Sequence, residues 1–118
     1  METRAYRIKL KPGSLERVRA WAAELTRRRE EGLATLRAET VLLGCFFLEQ
    51  TQDGDYLIAV ATAERFEASR TAVEEALEGL DAYQQQFKKD TWASSQRLEL
   101  LVELNRVHEG DQELGPAR

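Results

Sequence analysis

Cysteine and histidine are almost missing from this chain of 118 residues, which has one of each, Cys45 and His108. A lone cysteine closes no internal disulfide, which fits a reducing compartment. A structural zinc site needs clustered Cys and His, and His108 lies in a polar tail, away from any Ser or Cys it could activate. No metal site or His-based catalytic pair is therefore expected, and the sequence has no nucleotide or cofactor motif. Haem is the least expected ligand, with Cys45 and Tyr83 the residues left to ligate iron. Long apolar runs are absent too, since none approaches the ~20 residues that span a bilayer. The opening METRAYRIKLKPGS has no apolar core of signal-peptide length, so the expected location is the cytoplasm. Nor is there a surplus of positive charge. With 17 basic against 21 acidic residues the net charge is −4, which does not draw a chain to phosphate backbones. Neither nucleic acid nor membrane is an expected partner.

What is present suits one core. Hydrophobic residues make up 42% and charged residues 32%, so one soluble globular domain is expected over residues 1–107. Residues 108–118, HEGDQELGPAR, are polar and carry Gly and Pro, which predicts a loose tail.

The periodicities give an order of elements. In YRIKLK, Tyr6, Ile8 and Leu10 alternate with Arg7, Lys9 and Lys11, as in a strand with one apolar and one basic face. KPGS interrupts it, and Ser14 is placed to cap a helix. Leu15, Val18, Ala22, Leu25, Leu33 and Leu36 then recur at helical steps, predicting one amphipathic helix to about Ala38. Trp21 falls off that stripe and is either partly exposed or packed under the second helix pair. RRREE, in its middle, reads as a solvated face or as an anion patch partly cancelled by its own Glu30 and Glu31. TVLLGCFFLEQ, Thr40 to Gln50, is apolar on both faces and must be covered on both. Asp53-Gly54 signals a tight hairpin into a return strand, Tyr56 to Thr62. Ala63 to Leu77 reads as a helix with Phe66, Arg70, Val73 and Leu77 on one face. Gly79 is expected to stop it, and Asp81 to cap a further helix, DAYQQQFKKDTWAS. RLELLVELNRV, Arg97 to Val107, alternates again and predicts the last strand.

The order β-α-β-β-α-(α)-β is that of the ferredoxin-like α+β fold: a four-stranded antiparallel sheet with helices on one face. The first strand then lies between the third and fourth, setting Arg7, Lys9 and Lys11 against Glu99 and Glu103. A second strand greasy on both sides would leave the bare sheet face apolar. The expected remedy is a homodimer joined through the sheet faces.

YRIKLKPGSLERVRAWAAEL, LEQTQDGDYLIAV and DAYQQQFKKDTWASSQRLELLVEL resemble an uncharacterised bacterial domain-of-unknown-function family of small stand-alone proteins, over nearly the whole chain. The resemblance implies the dimeric α+β-barrel type of this fold and brings no catalytic residues with it.

Several residues are candidates for a site. Tyr83 and Phe87 form an i,i+4 pair that either packs as core or leaves Tyr83, with Trp92 and one Gln, on the rim of a pocket between helix and sheet. Glu49 ends an apolar strand in phase with Cys45 and Phe47. Either the strand simply meets water there, or the carboxylate sits where its charge is disfavoured and serves as acid or base. Cys45 reads as a small buried hydrophobe. Arg7 pairs with a strand-four Glu or holds an anionic ligand. Tyr56, on the return strand, could join such a pocket. Three functions stay open: a non-catalytic binder of a small apolar or aromatic molecule or accessory module, a cofactor-independent oxygenase- or isomerase-like enzyme using Glu49 or Tyr83, and a purely structural protein.

Overall fold

The computed structural model describes residues 1–66 and 79–106. The chain forms β1 (Glu2–Leu10), α1 (Leu15–Arg27), α2 (Arg29–Ala38), β2 (Val41–Thr51), β3 (Gly54–Ala63), α3 (Gly79–Thr91) and β4 (Trp92–Arg97). The expected helix face Phe66, Arg70, Val73 and Leu77 falls, past Phe66, outside the described residues, and so does the tail 108–118.

The strands pair antiparallel in the order β2-β3-β1-β4, so the fold is ferredoxin-like α+β with β1 between β3 and β4, as the element order predicts. Ile8 on β1 lies opposite Leu57 on β3. Both side chains enter one core with Leu10, Val18, Trp21 and Phe87, and α1 and α3 thus cover this face of the sheet. The β2–β3 hairpin turns where the sequence marks it. Gly54 takes a φ of 131°, open to glycine and strained for any other residue. Thr51 Oγ1 donates to the Gly54 carbonyl at 2.7 Å and accepts from the Asp53 N–H at 3.1 Å.

Three local expectations need correction. The long first helix is two. Its axis breaks at Arg28, with φ −101° and ψ 38°, inside the charged run, where no buried side chain ties the helix to the sheet. Arg28 and Glu31 still pair across the break, and the guanidinium hydrogen bond holds the Glu31 carboxyl below its ordinary value. Ser14 does occupy the cap position of α1, but its side chain makes no capping bond. Asp81 lies within α3 rather than at its cap, and the helix that Gly79 is expected to stop falls outside the described residues. Trp21, off the expected stripe, is 3% exposed and stacks flat on Phe87, with centroids 4.4 Å apart.

The largest correction concerns the last strand. It runs from Trp92 to Arg97, and residues 98–106 lie beyond the sheet ladder. β4 is placed by neither its composition nor its burial. Lys11 grips the end of α3, its N–H bonded to the Thr91 carbonyl and its Nζ to that of Lys89, both at 2.7 Å. This clamp delivers the chain onto the free edge of β1, where Ile8 faces Ser95 and Arg7 faces Gln96. Glu99 and Glu103 therefore do not oppose the basic row of β1.

Gly32 sits in α2, where an added Cβ would meet no atom nearer than Leu80 Cδ2 at 3.9 Å. Gly32→Ala should stabilise the fold by about 0.5–1 kcal/mol, because alanine loses less backbone entropy in a helix. Urea midpoints of the two proteins check this, and a lower midpoint for the variant would contradict it.

Candidate functional site

Side chains alternate across the sheet, so register decides which residues can act together. Arg7, Glu49 and Tyr56 meet on the face away from α1 and α3. Glu49 and Tyr56 are cross-strand partners. Arg7, one strand further over, reaches across to donate from Nε to Glu49 Oε1 at 2.9 Å, and its guanidinium carbon stands 3.7 Å from the centre of the Tyr56 ring. The partner of Arg7 is thus Glu49, not a glutamate of the last strand. A half-exposed pair of this kind adds little to stability. Its effect is to hold the carboxylate and the guanidinium each to the other.

The same face carries the apolar half expected of it. Leu43, Cys45 and Phe47 on β2 oppose Thr62, Val60 and Ile58 on β3. Phe47 is 59% and Leu43 51% exposed, while Cys45 is half-buried. Thr3 and Thr62 close the row with a hydrogen bond of 3.0 Å.

Tyr83 and Trp92 lie on the opposite side. Both pack against the core, Tyr83 beneath the Arg17 guanidinium and Trp92 beneath Lys88 Nζ at 5.1 Å. Trp92 is the first residue of β4, opposite Leu10, rather than a helical residue. The buried Trp92 Nε1 has no hydrogen-bond partner among the described residues. Phe87 is buried in the core and Tyr83 packs against it, partly buried.

A cleft does lie between helices and sheet, and it is not lined by Tyr83 or Trp92. It has a volume of about 350 Å³ and opens between α2, α3 and the β2–β3 half of the sheet. Tyr6, Gly44, Phe46 and Ala59 form its floor, and Leu25, Leu33 and Leu36 form an apolar wall. Arg29, Gln84, Gln85 and Lys88 bring polar groups to it. Of the three consecutive glutamines, two face this space and the third, Gln86, donates to Asp90 at 2.8 Å. Gln84 and Gln85 are half-buried and make no hydrogen bond to another described residue. Gly44 leaves room that a side chain would fill, since an added Cβ finds nothing closer than Leu36 Cδ2 at 4.0 Å. A glycine inside an otherwise greasy strand was a sequence signal for this hollow, because such glycines mark a close approach.

The five expected binding residues therefore split. Arg7, Glu49 and Tyr56 form one cluster on the open sheet face, and Tyr83 and Trp92 belong to the core margin on the helix side. Among the described residues, no three of His, Cys, Asp and Glu stand close enough to hold a metal ion.

A family model, described as a family of unknown function (DUF6176), matches residues 1–109. The chain belongs to that family. The match takes in every element of this DUF6176 member described above, from β1 to the residues after β4. Among curated proteins nothing matches it. No described helix of this family member is long and apolar enough to cross a membrane.

Proposed function

We propose that this protein binds a small, largely apolar or aromatic molecule in the cleft between α2, α3 and the sheet, without transforming it, and does so as a homodimer joined through its open sheet faces. The cleft carries the reading. Apolar walls with a few polar groups at one side are how small-ligand sites are commonly built, and about 350 Å³ lies within their usual range. The carboxamides of Gln84 and Gln85 offer both donors and acceptors to the polar end of such a guest. The candidate acid-base groups give catalysis less support, for Glu49 is paired with Arg7 and lies across the sheet from Tyr83. One bound molecule does not meet both. For the dimer, the support is the exposed row of Leu43 and Phe47 beside Val60 and Ile58, an apolar surface of the kind that marks an interface.

The test is a thermal-shift screen of aromatic acids, amides and phenols, with Gly44→Leu as control. The variant should keep its fold, because leucine enters space rather than protein, and should bind any hit at least about tenfold more weakly. A hit that raises the melting temperature of both proteins equally would place the ligand elsewhere. Turnover of a hit would replace the binding reading with catalysis.

A further inference from the structure

The run RRREE, by its sequence a solvated face or an anion patch, is divided by the fold. Arg27 pairs with Glu24, and Arg28 with Glu31 at 2.6 Å. Arg29 is held most loosely of the three, 3.7 Å from a Glu30 that is itself 85% exposed. It is also the one of the three that lines the cleft between α2, α3 and the sheet. A second cation, the half-buried Lys88, lines that cleft from α3. Among the described residues that line it, Glu39 is the acidic one.

The directions of the helices bring the two cations together. Helical hydrogen bonds on both sides of the break, Arg28 N–H to the Glu24 carbonyl and Gly32 N–H to that of Arg28, keep α2 on the general course of α1. Trp21 stacks on Phe87 and Gly32 comes up against Leu80, so α3 runs antiparallel to that course. Arg29, between Trp21 and Gly32, therefore falls between the levels of Phe87 and Leu80, beside Gln84 and Gln85. Helical side chains lean towards the N-terminus of their own helix. Arg29 thus leans towards the level of Phe87, and Lys88 leans back towards that of Gln84, into the same end of the cleft. Glu39 follows the end of α2, about 15 Å along the axis from Arg29 at the helical rise per residue. It stands past the level of Leu80, at the other end. The charges are therefore sorted, with cations and carboxamides at one end, a carboxylate at the other, and Leu33 and Leu36 between them on α2.

A neutral guest pressed against the cationic end would strip water from two charges and offer none in return. A carboxylate there accepts from the guanidinium, the ammonium and the carboxamide N–H groups together. We propose that the molecule bound in the cleft is an aromatic or aliphatic carboxylic acid, its carboxylate seated between Arg29 and Lys88 and its apolar body along Leu33 and Leu36. This rests on the binding reading above and narrows it to one chemical class.

Calorimetric titration of the full chain with phenylacetic, naphthylacetic and indoleacetic acids, each beside its primary amide, tests it. Each amide keeps the shape of its acid and lacks the charge. The acids should bind at least about tenfold more tightly than the amides in about 20 mM salt, and the ratio should shrink in about 500 mM salt. Lys88→Met, which keeps an unbranched stem beside Trp92, and Arg29→Gln should each cut that ratio at least about threefold, and together bring it close to one. Amides that bind as tightly as the acids, with Gly44→Leu weakening both, would overturn the acid preference and leave the cleft reading standing. A preference that survives removal of both cations would overturn it by seating the carboxylate elsewhere. Binding that Gly44→Leu leaves unchanged, or no binding of any of these compounds at about millimolar concentration, would remove the cleft reading as well.

Discussion

Trp21→Ala is expected to lower folding stability by about 3–5 kcal/mol, a large part of the 5–15 kcal/mol that holds a typical domain. Trp21 joins three layers. Its ring lies parallel to Phe87 of α3, at an interplanar angle of 2°, and stands edge-on to Phe46 of β2, with centroids 4.8 Å apart. Removing it leaves Phe87, 1% exposed, facing a void. The conservative partner sharpens the test. The buried Trp21 Nε1 has no hydrogen-bond partner among the described residues, and an unmet buried donor costs about 1–3 kcal/mol. Trp21→Phe keeps an aromatic ring and removes that donor, so its loss should be well under half that of alanine. Urea denaturation of the three proteins reads both values. An alanine variant within 1 kcal/mol of the parent would mean the aromatic stack does not hold the helices to the sheet.

Phe47→Arg carries the second large effect, this time on association. Phe47 is 59% exposed in the single chain and stands on the open face beside Ile58, so the folded monomer loses little by the change. In a dimer joined through these faces, the arginine would be buried against apolar side chains, which should weaken the dimer at least about 100-fold, or ~2.7 kcal/mol. Sedimentation of parent and variant over a concentration series measures it. If the variant stays as dimeric as the parent, the interface lies elsewhere on the surface.

What could be read from the sequence depended on whether a residue's own neighbours in sequence determine its place. The β2–β3 hairpin was legible because Asp53-Gly54 fixes the turn and the turn fixes the register. β1 was legible because its row of Tyr6, Ile8 and Leu10 is buried on one side by its own chain. β4 was not, because WASSQR has no apolar alternation. Its place comes from the Lys11 clamp on α3, a contact between residues far apart in sequence, while the alternating segment after it was taken for the strand. Along the chain Trp21 could be either exposed or packed; α1 touches both α3 and the sheet, so its buried surface is wider than a single stripe and takes Trp21 in. The cluster of Arg7 with Glu49 needed the order of three strands and the reach of an arginine across Tyr56, neither of which is visible along the chain. The cleft was not legible. The pocket considered along the chain has Tyr83, Trp92 and one Gln on its rim, whereas this cleft has Gln84 and Gln85 but neither aromatic, and its floor at Gly44 and Phe46 depends on which side of β2 faces α2.

The position of β1 also bears on how the chain is made. It is made before both of its neighbours, so Tyr6 has to wait for Ala59 on one flank and for Arg97 on the other. Until residue 97 has been made, one flank of β1 is an unclaimed seam, so the closure of this sheet comes late in its own synthesis. A ribosome stalled before residue 97 would hold a chain in which β1 still lacks one of its two neighbours.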